Sequence, residues 1–220
     1  MCYVIITGGP NVSLAPLHDY LINAQKIIAA DSGADRLREI AFLPHEVVGD
    51  FDSAADATKA WIQDEKIPIR QFPVEKDMTD TELALSDVPF SESILLVCSL
   101  TGRIDHVMSN LMIAAKLARD GKQIKVTDGD TWIYPRSGKG SWRFVDSPFW
   151  HDDGREPVFS IIPVFGDATG VTTIGMKYPL HHHTLTIGSS FPISNELGDG
   201  NAHGFDYESG TMLFIVSKCI

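Results

Sequence analysis

The sequence predicts an α/β domain followed by an all-β domain, and two patterns support this fold class. Over about the first 130 residues, short apolar runs alternate with stretches of helical spacing, which is typical of an α/β domain with a largely parallel sheet. From Thr131 onward the apolar runs are short and β-rich, and clusters of Gly, Pro, Asn and Asp separate them. We therefore expect an α/β domain over residues 1–135 and a C-terminal β-sandwich over residues 136–220.

The strands of the first domain are predicted by apolar runs that each stop at a turn-forming sequence. The first run, for example, is rich in β-branched residues and ends at Gly8-Gly9-Pro10. Glycine, proline and aspartate commonly end strands because they favour turn conformations. The predicted strands are Tyr3–Thr7, Ile27–Ala30, Val47–Val48, Ile67–Phe72, Ile94–Leu100 and Ile124–Thr127.

Helix starts are explicit at several points. The clearest helix begins near Asp105, because apolar residues recur at spacings of three and four from Ile104 to Ala115. Thr79 followed by Glu82 has the form of a capping box with Thr79 as the N-cap. Ser53 followed by Asp56 resembles a second N-cap with an acidic residue in the first turn.

The sequence pattern of the second domain predicts a small all-β structure. None of its segments carries a long helical period, and turn residues separate the apolar runs. The domain boundary is predicted near Pro135–Gly140. The predicted strands are Trp142–Val145, Val158–Ile162, Val171–Ile174, Thr184–Ile187 and Leu213–Val216.

Composition excludes several classes of function. The chain has 18 Lys and Arg against 29 Asp and Glu, a formal charge of −11, which argues against nucleic acid and acidic membranes as partners. The chain contains no apolar run near the length of a membrane helix and no clear signal peptide. Its three cysteines are widely spaced, which fits a reducing compartment. We expect a cytoplasmic protein.

Aspartates follow successive strands of the first domain. In an open α/β sheet, ligands bind outside the carboxyl ends of the strands, so these acids are aimed at one crevice. Each aspartate alone is more often a turn former or a helix cap, but that explanation is weak for so many strand ends together. The aspartates are Asp31, Asp50, Asp52, Asp77, Asp80 and Asp105.

A cluster of acids repels itself unless it holds a hard cation such as Mg²⁺. Lys76 and Arg103 are interleaved among the acids, and both residue types bind phosphate oxygens. Acids for a metal and bases for phosphate are the parts needed for phosphoryl transfer. Two simpler readings stay open: Arg103 pairs only with Asp105, and His106 only orients the helix start.

Other conspicuous residues have structural explanations. Three consecutive histidines on a strand point to alternating faces, so His181–His183 are expected to form a solvated turn rather than a chelate. Cys98 lies inside an apolar strand and is expected to be a buried small hydrophobe. Gly8-Gly9 is either a tight turn or a phosphate cradle, and the former is the more common.

An ordered set of motifs resembles the thiamine pyrophosphokinase family, and it runs through nearly the whole chain. No single motif decides the resemblance, but the set taken in order is highly specific. The motifs are Asp31-Ser32-Gly33-Ala34, Gly49-Asp50-Phe51-Asp52-Ser53, Lys76-Asp77-Met78-Thr79-Asp80, Gly102-Arg103-Ile104-Asp105-His106, Gly175-Met176-Lys177-Tyr178-Pro179-Leu180 and Ser194-Asn195-Glu196.

The resemblance implies a reaction and a set of site residues. The reaction is transfer of the pyrophosphoryl group of ATP to the hydroxyl of thiamine, with Mg²⁺, by a homodimer whose sites lie between subunits. Asp50, Asp52 and Asp80 would hold the metal and triphosphate. Tyr178, Ser194 and Asn195 would help to hold thiamine. The residues implied for the nucleotide and the reacting hydroxyl are Asp31, Lys76, Asp77, Arg103, Asp105 and His106.

Two alternatives from other functional classes remain. A different Mg²⁺-dependent enzyme for nucleotides or phosphate esters would use the same acids without any dependence on thiamine. A non-catalytic module would bind thiamine or a nucleotide without releasing AMP. The interleaved Arg103 and Lys76 argue against the module, because a binder of cationic thiamine needs no bases among its acids.

Overall fold

A computed structural model of the chain describes residues 2–50, 54–72, 77–144, 155–198 and 202–218. The chain forms two compact units. The first contains Met1–Ile113 and Lys122–Gly129, and the second contains Ala114–Gly121 and Asp130–Ile220. In the described part of the chain, no helix is long and apolar enough to cross a membrane.

The first unit is built on strands whose pairings are parallel, in the order β4-β3-β2-β1-β5-β6. Residues such as Ile5, Ile28 and Leu95 are fully buried. Strands that are covered on both faces read as continuous apolar runs, which is why the runs were visible in the sequence. The strands are β1 (Cys2–Thr7), β2 (Ala24–Ala30), β3 (Glu46–Gly49), β4 (Ile69–Gln71), β5 (Ser93–Val97) and β6 (Ile124–Thr127).

Helices connect these strands, so the first unit alternates strand and helix as expected. The longest helix begins at Ile104, where the periodic apolar pattern starts. A short 3₁₀ turn, Ala15–Leu17, precedes the first helix. The helices are α1 (His18–Ile22), α2 (Gly33–Glu39), α3 (Asp56–Asp64), α4 (Asp80–Ser86) and α5 (Ile104–Arg119).

One predicted helix cap is confirmed and the other is wrong. Thr79 is the N-cap of α4, and its hydroxyl accepts a hydrogen bond from the Glu82 N–H at 3.2 Å. The N-cap of α3 is Ala55 rather than Ser53. Asp35, on α2, accepts the Ala55 N–H at 3.2 Å, so a residue distant in sequence binds the main chain at the start of α3.

The second unit is rich in strands, as expected for an all-β domain. Antiparallel pairings give the order β7-β12-β9-β11-β8, and β10 pairs with β9. The strands are β7 (Trp132–Ser137), β8 (Gly140–Arg143), β9 (Pro157–Ile174), β10 (His183–Leu185), β11 (Gly204–Tyr207) and β12 (Ser209–Lys218).

Two features of the second unit differ from the sequence-based expectation. The runs Val158–Ile162 and Val171–Ile174 belong to one 18-residue strand, β9, whose backbone has positive φ at Phe165 and Gly166 rather than a chain reversal. Residues 135 and 136, the expected domain limits, lie inside β7.

An aromatic cluster forms the core of the second unit. The Trp142 ring, on β8, lies 4.3 Å from the Tyr134 ring on β7 and 4.9 Å from the Phe214 ring on β12. Phe205, on β11, stacks on Phe214 at 4.6 Å. Such ring pairs add specific geometry to the burial of large apolar area. Side chains of β8 and β11 therefore pack on those of β7 and β12.

Candidate active site

A cavity of about 470 Å³ lies at the carboxyl ends of the strands of the first unit. Its wall is formed by residues 7–10 after β1, residues 30–32 after β2, residues 79–81 at the start of α4, and residues of the β5–α5 connection. Four of the predicted site residues line this cavity: Asp31, Asp80, Arg103 and His106. The cavity occupies the crevice where open α/β sheets bind ligands.

The connection after β1, residues 8–11, is called the glycine turn here, and it passes very close to its neighbours. A Cβ on Gly8 would stand 1.8 Å from Ser32 Oγ. A Cβ on Gly9, where φ is +121°, would stand 2.6 Å from Ser99 Cβ. Glycine is therefore required at both positions, because any side chain would collide with the serines on either side.

Asp31 and Asp80 meet at Gly49, the last residue of β3. Gly49 has φ +143°, and a Cβ there would stand 3.2 Å from Asp80 Oδ1 and 3.4 Å from Asp31 Cα. Asp31 adopts a left-handed backbone with φ 49°, which aspartate tolerates better than most residues. Its N–H donates to Val48 O at 2.8 Å, which ties the end of β2 to the end of β3.

Two of the three acids predicted to hold Mg²⁺ lie among the described residues. Asp50 directly follows Gly49, so two of the predicted ligands, Asp50 and Asp80, come from adjoining points of the crevice. Across the described ranges, no three His, Cys, Asp or Glu side chains form a closed metal cage. Magnesium commonly takes only one or two carboxylates and completes its shell with water and substrate phosphates. The third predicted ligand, Asp52, lies outside the described residues.

Arg103 and Asp105 form an ion pair. Arg103 Nε and Nη2 donate to the two carboxylate oxygens of Asp105 at 3.2 and 2.5 Å. The hydrogen bond from Arg103 holds the pKa of the Asp105 carboxyl below its usual range and raises the pKa of Arg103. Both side chains are well exposed, so the pair is open to exchange with a charged ligand. The simpler reading of Arg103 as the partner of Asp105 is thus realised in this structure.

The remaining nucleotide-site predictions fall into two groups. Asp77 is exposed, and neither it nor Asp50 nor Asp105 belongs to the described lining of the cavity. Lys76 lies outside the described residues. The structure therefore brings together Asp31, Asp80, Arg103 and His106.

Polar residues that sequence reasoning missed also line the cavity. Ser32 and Ser99 flank the glycine turn, and Asn110 lies one helical turn beyond His106 on α5. Asn110 is buried and hydrogen-bonds Cys98, whose thiol has its pKa raised to about 12 by burial. The prediction of Cys98 as a buried small residue is confirmed. The spacing of four from His106 along one helix is the signal that could have identified Asn110.

A second cavity of about 600 Å³ lies in the second unit. It is lined by all three residues predicted to hold thiamine, Tyr178, Ser194 and Asn195, and otherwise mostly by apolar side chains. Tyr178 and Phe191 are 55% and 63% exposed, which is unusual for large apolar rings. A mainly apolar cavity with a few polar groups is typical of a site for a small organic ligand.

The structure gives Asn195 a specific role in this cavity. Its side-chain Nδ2 donates to Tyr178 O at 2.7 Å, and its Oδ1 accepts from the N–H groups of Tyr178 and Glu196, each at 3.0 Å. Three hydrogen bonds thus commit the amide to the main chain. Asn195 therefore holds the Tyr178 backbone in place rather than offering its amide oxygen to a ligand.

The ring of Tyr178 lies beside a cation. Lys177 Nζ stands 5.6 Å from the ring centroid and 2.7 Å from Glu196 Oε2. The hydrogen bond to Glu196 raises the pKa of Lys177, so the amine stays charged. The backbone of Ser194, in the same cavity wall, is also held in place. Ser194 adopts φ 61°, and its N–H donates to Ser160 Oγ at 3.1 Å. Tyr178 and Ser194 are thus both anchored through their backbones.

His181 and His182 lie in the connection before β10, as expected for a turn, whereas His183 is the first residue of β10. His182 Nε2 lies 3.8 Å from Glu208 Oε2, whereas the His183 ring lies 5.1 Å from the Phe191 ring. Neighbouring histidines therefore have different partners, and His182 itself has a left-handed backbone with φ 50°. The tract does not form a chelate within the described residues.

Known proteins resemble this chain over its whole length. The family description "Thiamin pyrophosphokinase, catalytic domain" matches residues 17–126, and "Thiamin pyrophosphokinase, vitamin B1 binding domain" matches residues 150–212. Thiamine pyrophosphokinase of Bacillus subtilis (strain 168) is 28% identical over 218 residues, with 97% of each chain covered.

Solved structures give the same picture. A crystal structure of thiamine pyrophosphokinase from Bacillus subtilis has a TM-score of 0.84 at 27% identity and covers 100% of both chains. One of thiamin pyrophosphokinase from Geobacillus thermodenitrificans has a TM-score of 0.80 at 28% identity, covering 99% of this chain and 97% of that one. Since the catalytic-domain match alone spans half of the 220 residues, the chain belongs to the thiamin pyrophosphokinase family.

Proposed function

We propose that this chain catalyses the reaction of its family, transfer of the pyrophosphoryl group of ATP to the hydroxyl of thiamine, with release of AMP. The observation that carries the proposal is the set of residues that line the two cavities. One collects Asp31, Asp80 and Arg103 at the carboxyl ends of parallel strands, and the other collects the residues expected to hold thiamine. We assign the nucleotide to the first unit and thiamine to the second.

Charge neutralisation is the main task of the nucleotide cavity. Transfer of a pyrophosphoryl group requires no covalent bond to the protein, so positioning and electrostatics supply most of the rate. Arg103 is exposed and lies at the cavity wall, where its planar guanidinium suits phosphate oxygens. A bound triphosphate would compete with Asp105 for this guanidinium. Lys76 and His106 are proposed as further contacts to the nucleotide.

We propose that Asp50, Asp52 and Asp80 hold Mg²⁺. A bound ion would supply positive charge that neutralises the negative charge developing on the phosphates during transfer. The close approach of Asp80 to Gly49 supports the pairing of Asp80 with the β3 end that precedes Asp50. Asp31 also lies beside Gly49 and lines the cavity, and we propose that it contacts the nucleotide.

We propose that either Asp77 or Asp105 accepts the proton of the thiamine hydroxyl. The low pKa of Asp105 makes it a poor acceptor for as long as Arg103 donates to it. Asp77 is exposed, and it lies just before the α4 N-cap Thr79. We therefore propose Asp77 as the acceptor while Arg103 holds Asp105, and Asp105 as the acceptor once the nucleotide has taken Arg103.

The thiamine cavity suits a cationic aromatic ligand. Thiamine carries a charged thiazolium ring, and aromatic faces attract such cations. Tyr178 offers an exposed ring at the cavity wall, and Asn195 holds its main chain. Ser194 is exposed beside them and is proposed as a polar contact.

Three further expectations, on the fold of the second unit, the oligomeric state and the location of the protein, are also proposals. We propose that the second unit is a β-sandwich, which is supported by the contacts of Trp142 and Phe205 with Phe214 on β12. We propose that the chain forms a homodimer, to be tested by its molar mass in solution. We propose a cytoplasmic location, which is supported by the widely spaced cysteines.

The function is tested by incubating the protein with thiamine, ATP and Mg²⁺ and measuring AMP and thiamine pyrophosphate. We expect equal amounts of both products, and neither product when thiamine or Mg²⁺ is omitted. Nucleotide breakdown that does not depend on thiamine would favour a different Mg²⁺-dependent nucleotide enzyme. Saturable binding of thiamine without AMP release would favour a binding module.

A further inference from the structure

Phe191 places an exposed aromatic ring in the wall of the thiamine cavity. It lines the cavity together with Tyr178 and Ile193, and all three side chains are exposed. Large apolar side chains that lie exposed around one space mark a surface that a ligand covers. A ligand that fills this cavity of about 600 Å³ would therefore remove the Phe191 ring from water.

The main chain around Phe191 is held by hydrogen bonds. The Phe191 N–H donates to Ser189 Oγ at 3.2 Å, and the Ile161 N–H donates to Pro192 O at 3.0 Å. These contacts fix the point at which the Phe191 side chain leaves the main chain. They do not fix the ring, because an exposed side chain changes rotamer on the picosecond-to-nanosecond timescale. The orientation of the ring therefore depends on the side chains beside it.

The Phe191 ring has an aromatic neighbour in His183. The two ring centroids are 5.1 Å apart, and the ring planes are inclined by 35°. Aromatic rings attract each other at centroid separations of about 4.5–7 Å. Within the described residues, the Phe191 ring pairs with no other aromatic ring. His183 itself does not belong to the described lining of the cavity, so its contact is with the wall rather than with the space inside.

The support for the His183 ring is the sheet. His183 is the first residue of β10 and pairs with Val171 of β9. The preceding N–H, that of His182, donates to Thr172 Oγ1 at 2.9 Å. The imidazole is thus carried by main chain that is hydrogen-bonded to β9, and it can restrict the more exposed ring beside it.

We infer that His183 is a positioning residue that holds the Phe191 ring in the orientation in which this ring contacts thiamine. Phe191 then provides a second aromatic face in the cavity besides that of Tyr178, and aromatic faces attract a cationic ligand. The inference deepens the proposed function and rests on it for the identity of the ligand. It also gives one residue of the three consecutive histidines a task that the others do not share.

The experiment measures thiamine binding to the full chain by calorimetry, without nucleotide. The variants are His183→Ala, His183→Phe, Phe191→Ala and the double variant of His183→Ala with Phe191→Ala. His183→Phe keeps an aromatic ring at the position. The matched control is His182→Asn, because His182 lies beside Glu208 instead of Phe191, and asparagine tolerates its left-handed backbone.

We expect Phe191→Ala to weaken thiamine binding about tenfold, because it removes an aromatic contact with the ligand. His183→Ala should weaken it by about two- to tenfold, the range for one aromatic pair. His183→Phe and the control should bind as the parent does. The double variant should bind no more weakly than Phe191→Ala, because a residue that acts only through Phe191 has no effect once that ring is gone.

Several outcomes would overturn the inference. Additive losses in the double variant would show that His183 acts without Phe191. An equal loss in His183→Phe would show that a ring at this position is not what matters, and an equal loss in His182→Asn would show general damage to the segment. A change in the molar mass of His183→Ala in solution would assign the aromatic pair to a contact between subunits.

The design distinguishes failure of the inference from failure of the proposed function. Normal thiamine binding by every variant of a protein that forms thiamine pyrophosphate would retain the function and overturn the inference. The expected pattern of binding in a protein that forms no thiamine pyrophosphate would support the inference and overturn the proposed reaction. A parent protein that does not bind thiamine would overturn both.

Discussion

The carboxylate of Asp80 lies so close to Gly49 that a Cβ on Gly49 would stand 3.2 Å from Asp80 Oδ1. Gly49 ends β3, and Asp80 begins α4, so this contact joins two connections of the sheet that are 31 positions apart in the sequence. A Cβ at this position would force the carboxylate to shift by a few tenths of an ångström. The proposed metal site therefore depends on the absence of a side chain at Gly49, which lets Asp80 approach the end of β3.

Replacing Gly49 by alanine should therefore damage activity more than stability. Asp80 would have to move by a few tenths of an ångström, and displacement of this kind at a reacting centre is expected to reduce kcat about tenfold. Gly166→Ala is the matched control, because Gly166 also has positive φ but has open space around it. Both variants should lose about 1 kcal/mol of unfolding free energy from backbone strain. Equal kcat values in the two variants would contradict the placement of Asp80.

Replacing Asp80 by asparagine tests the charge itself. Asparagine keeps the shape of the side chain, so we expect kcat to fall on the order of 100-fold, with a higher Mg²⁺ requirement, because a metal ligand is weakened. The control is Asp56→Asn, since Asp56 is likewise the first residue of its helix and is fully exposed. Both changes remove a favourable charge from a helix N-terminus, so their melting temperatures should fall alike. Asp50→Asn should resemble Asp80→Asn in its kinetics, and unchanged Mg²⁺ dependence in both would refute the metal assignment.

The ion pair of Arg103 and Asp105 predicts a specific titration. Because Arg103 donates to the carboxylate, Asp105 should titrate below the ordinary range of aspartate in carbon-13 NMR spectra of the free protein. The stability that the pair adds is present above the unfolded-state pKa and is lost as pH falls through the lower folded-state value. In Arg103→Gln the Asp105 pKa should return toward its ordinary value.

Addition of tripolyphosphate is a second test of the same pair. If the anion takes Arg103 from Asp105, the Asp105 pKa should rise in the wild type and stay unchanged in Arg103→Gln. A pKa that is insensitive to the anion would mean that Arg103 remains paired and is not the phosphate contact proposed here.

Asn195 is predicted to act on thiamine through Tyr178. Asn195→Ala removes the bonds that hold the Tyr178 main chain, so the KM for thiamine should rise about two- to tenfold while the KM for ATP stays constant. Asn23→Ala is a suitable control, because Asn23 also donates to a main-chain carbonyl at 2.8 Å and lies in the first unit. A parallel rise in the KM for ATP would show that the effect is general.

The Tyr178 ring provides the companion measurement. Tyr178→Phe should bind thiamine nearly as well as the parent, since the aromatic face is retained, whereas Tyr178→Ala should not. If the hydroxyl rather than the ring proves to be essential, the proposed stacking on the thiazolium is incorrect.

The local features of the fold could be read from the sequence, and the long-range ones could not. The strand ends, the Thr79 capping box and the helix at Ile104 follow from patterns within a few residues. At the start of α3 the Ala55 N–H donates to Asp35, which is 20 positions away, and no local pattern predicts such a contact. The continuity of β9 was missed because turn-forming residues separate its two apolar runs in the sequence, whereas the strand continues through them.

In the candidate site, too, local features could be predicted from the sequence and long-range contacts could not. Acids at strand ends were found because parallel strands send their carboxyl ends to one edge. Ser99 was missed because its importance lies in contacts with Pro10, 89 positions earlier, which sequence spacing cannot reveal. Asn195 was found as a residue of the thiamine site, but its role in holding Tyr178 appeared only in the hydrogen bonds.

The most direct test of the central claim follows the β-phosphorus of ATP. The protein is incubated with thiamine, Mg²⁺ and ATP labelled at the β-position, and the products are separated. Transfer of the pyrophosphoryl group predicts that the label appears in thiamine pyrophosphate and that the AMP formed in equal amount is unlabelled. Label that stays with the nucleotide, as ADP, would show transfer of a single phosphoryl group and would contradict the account.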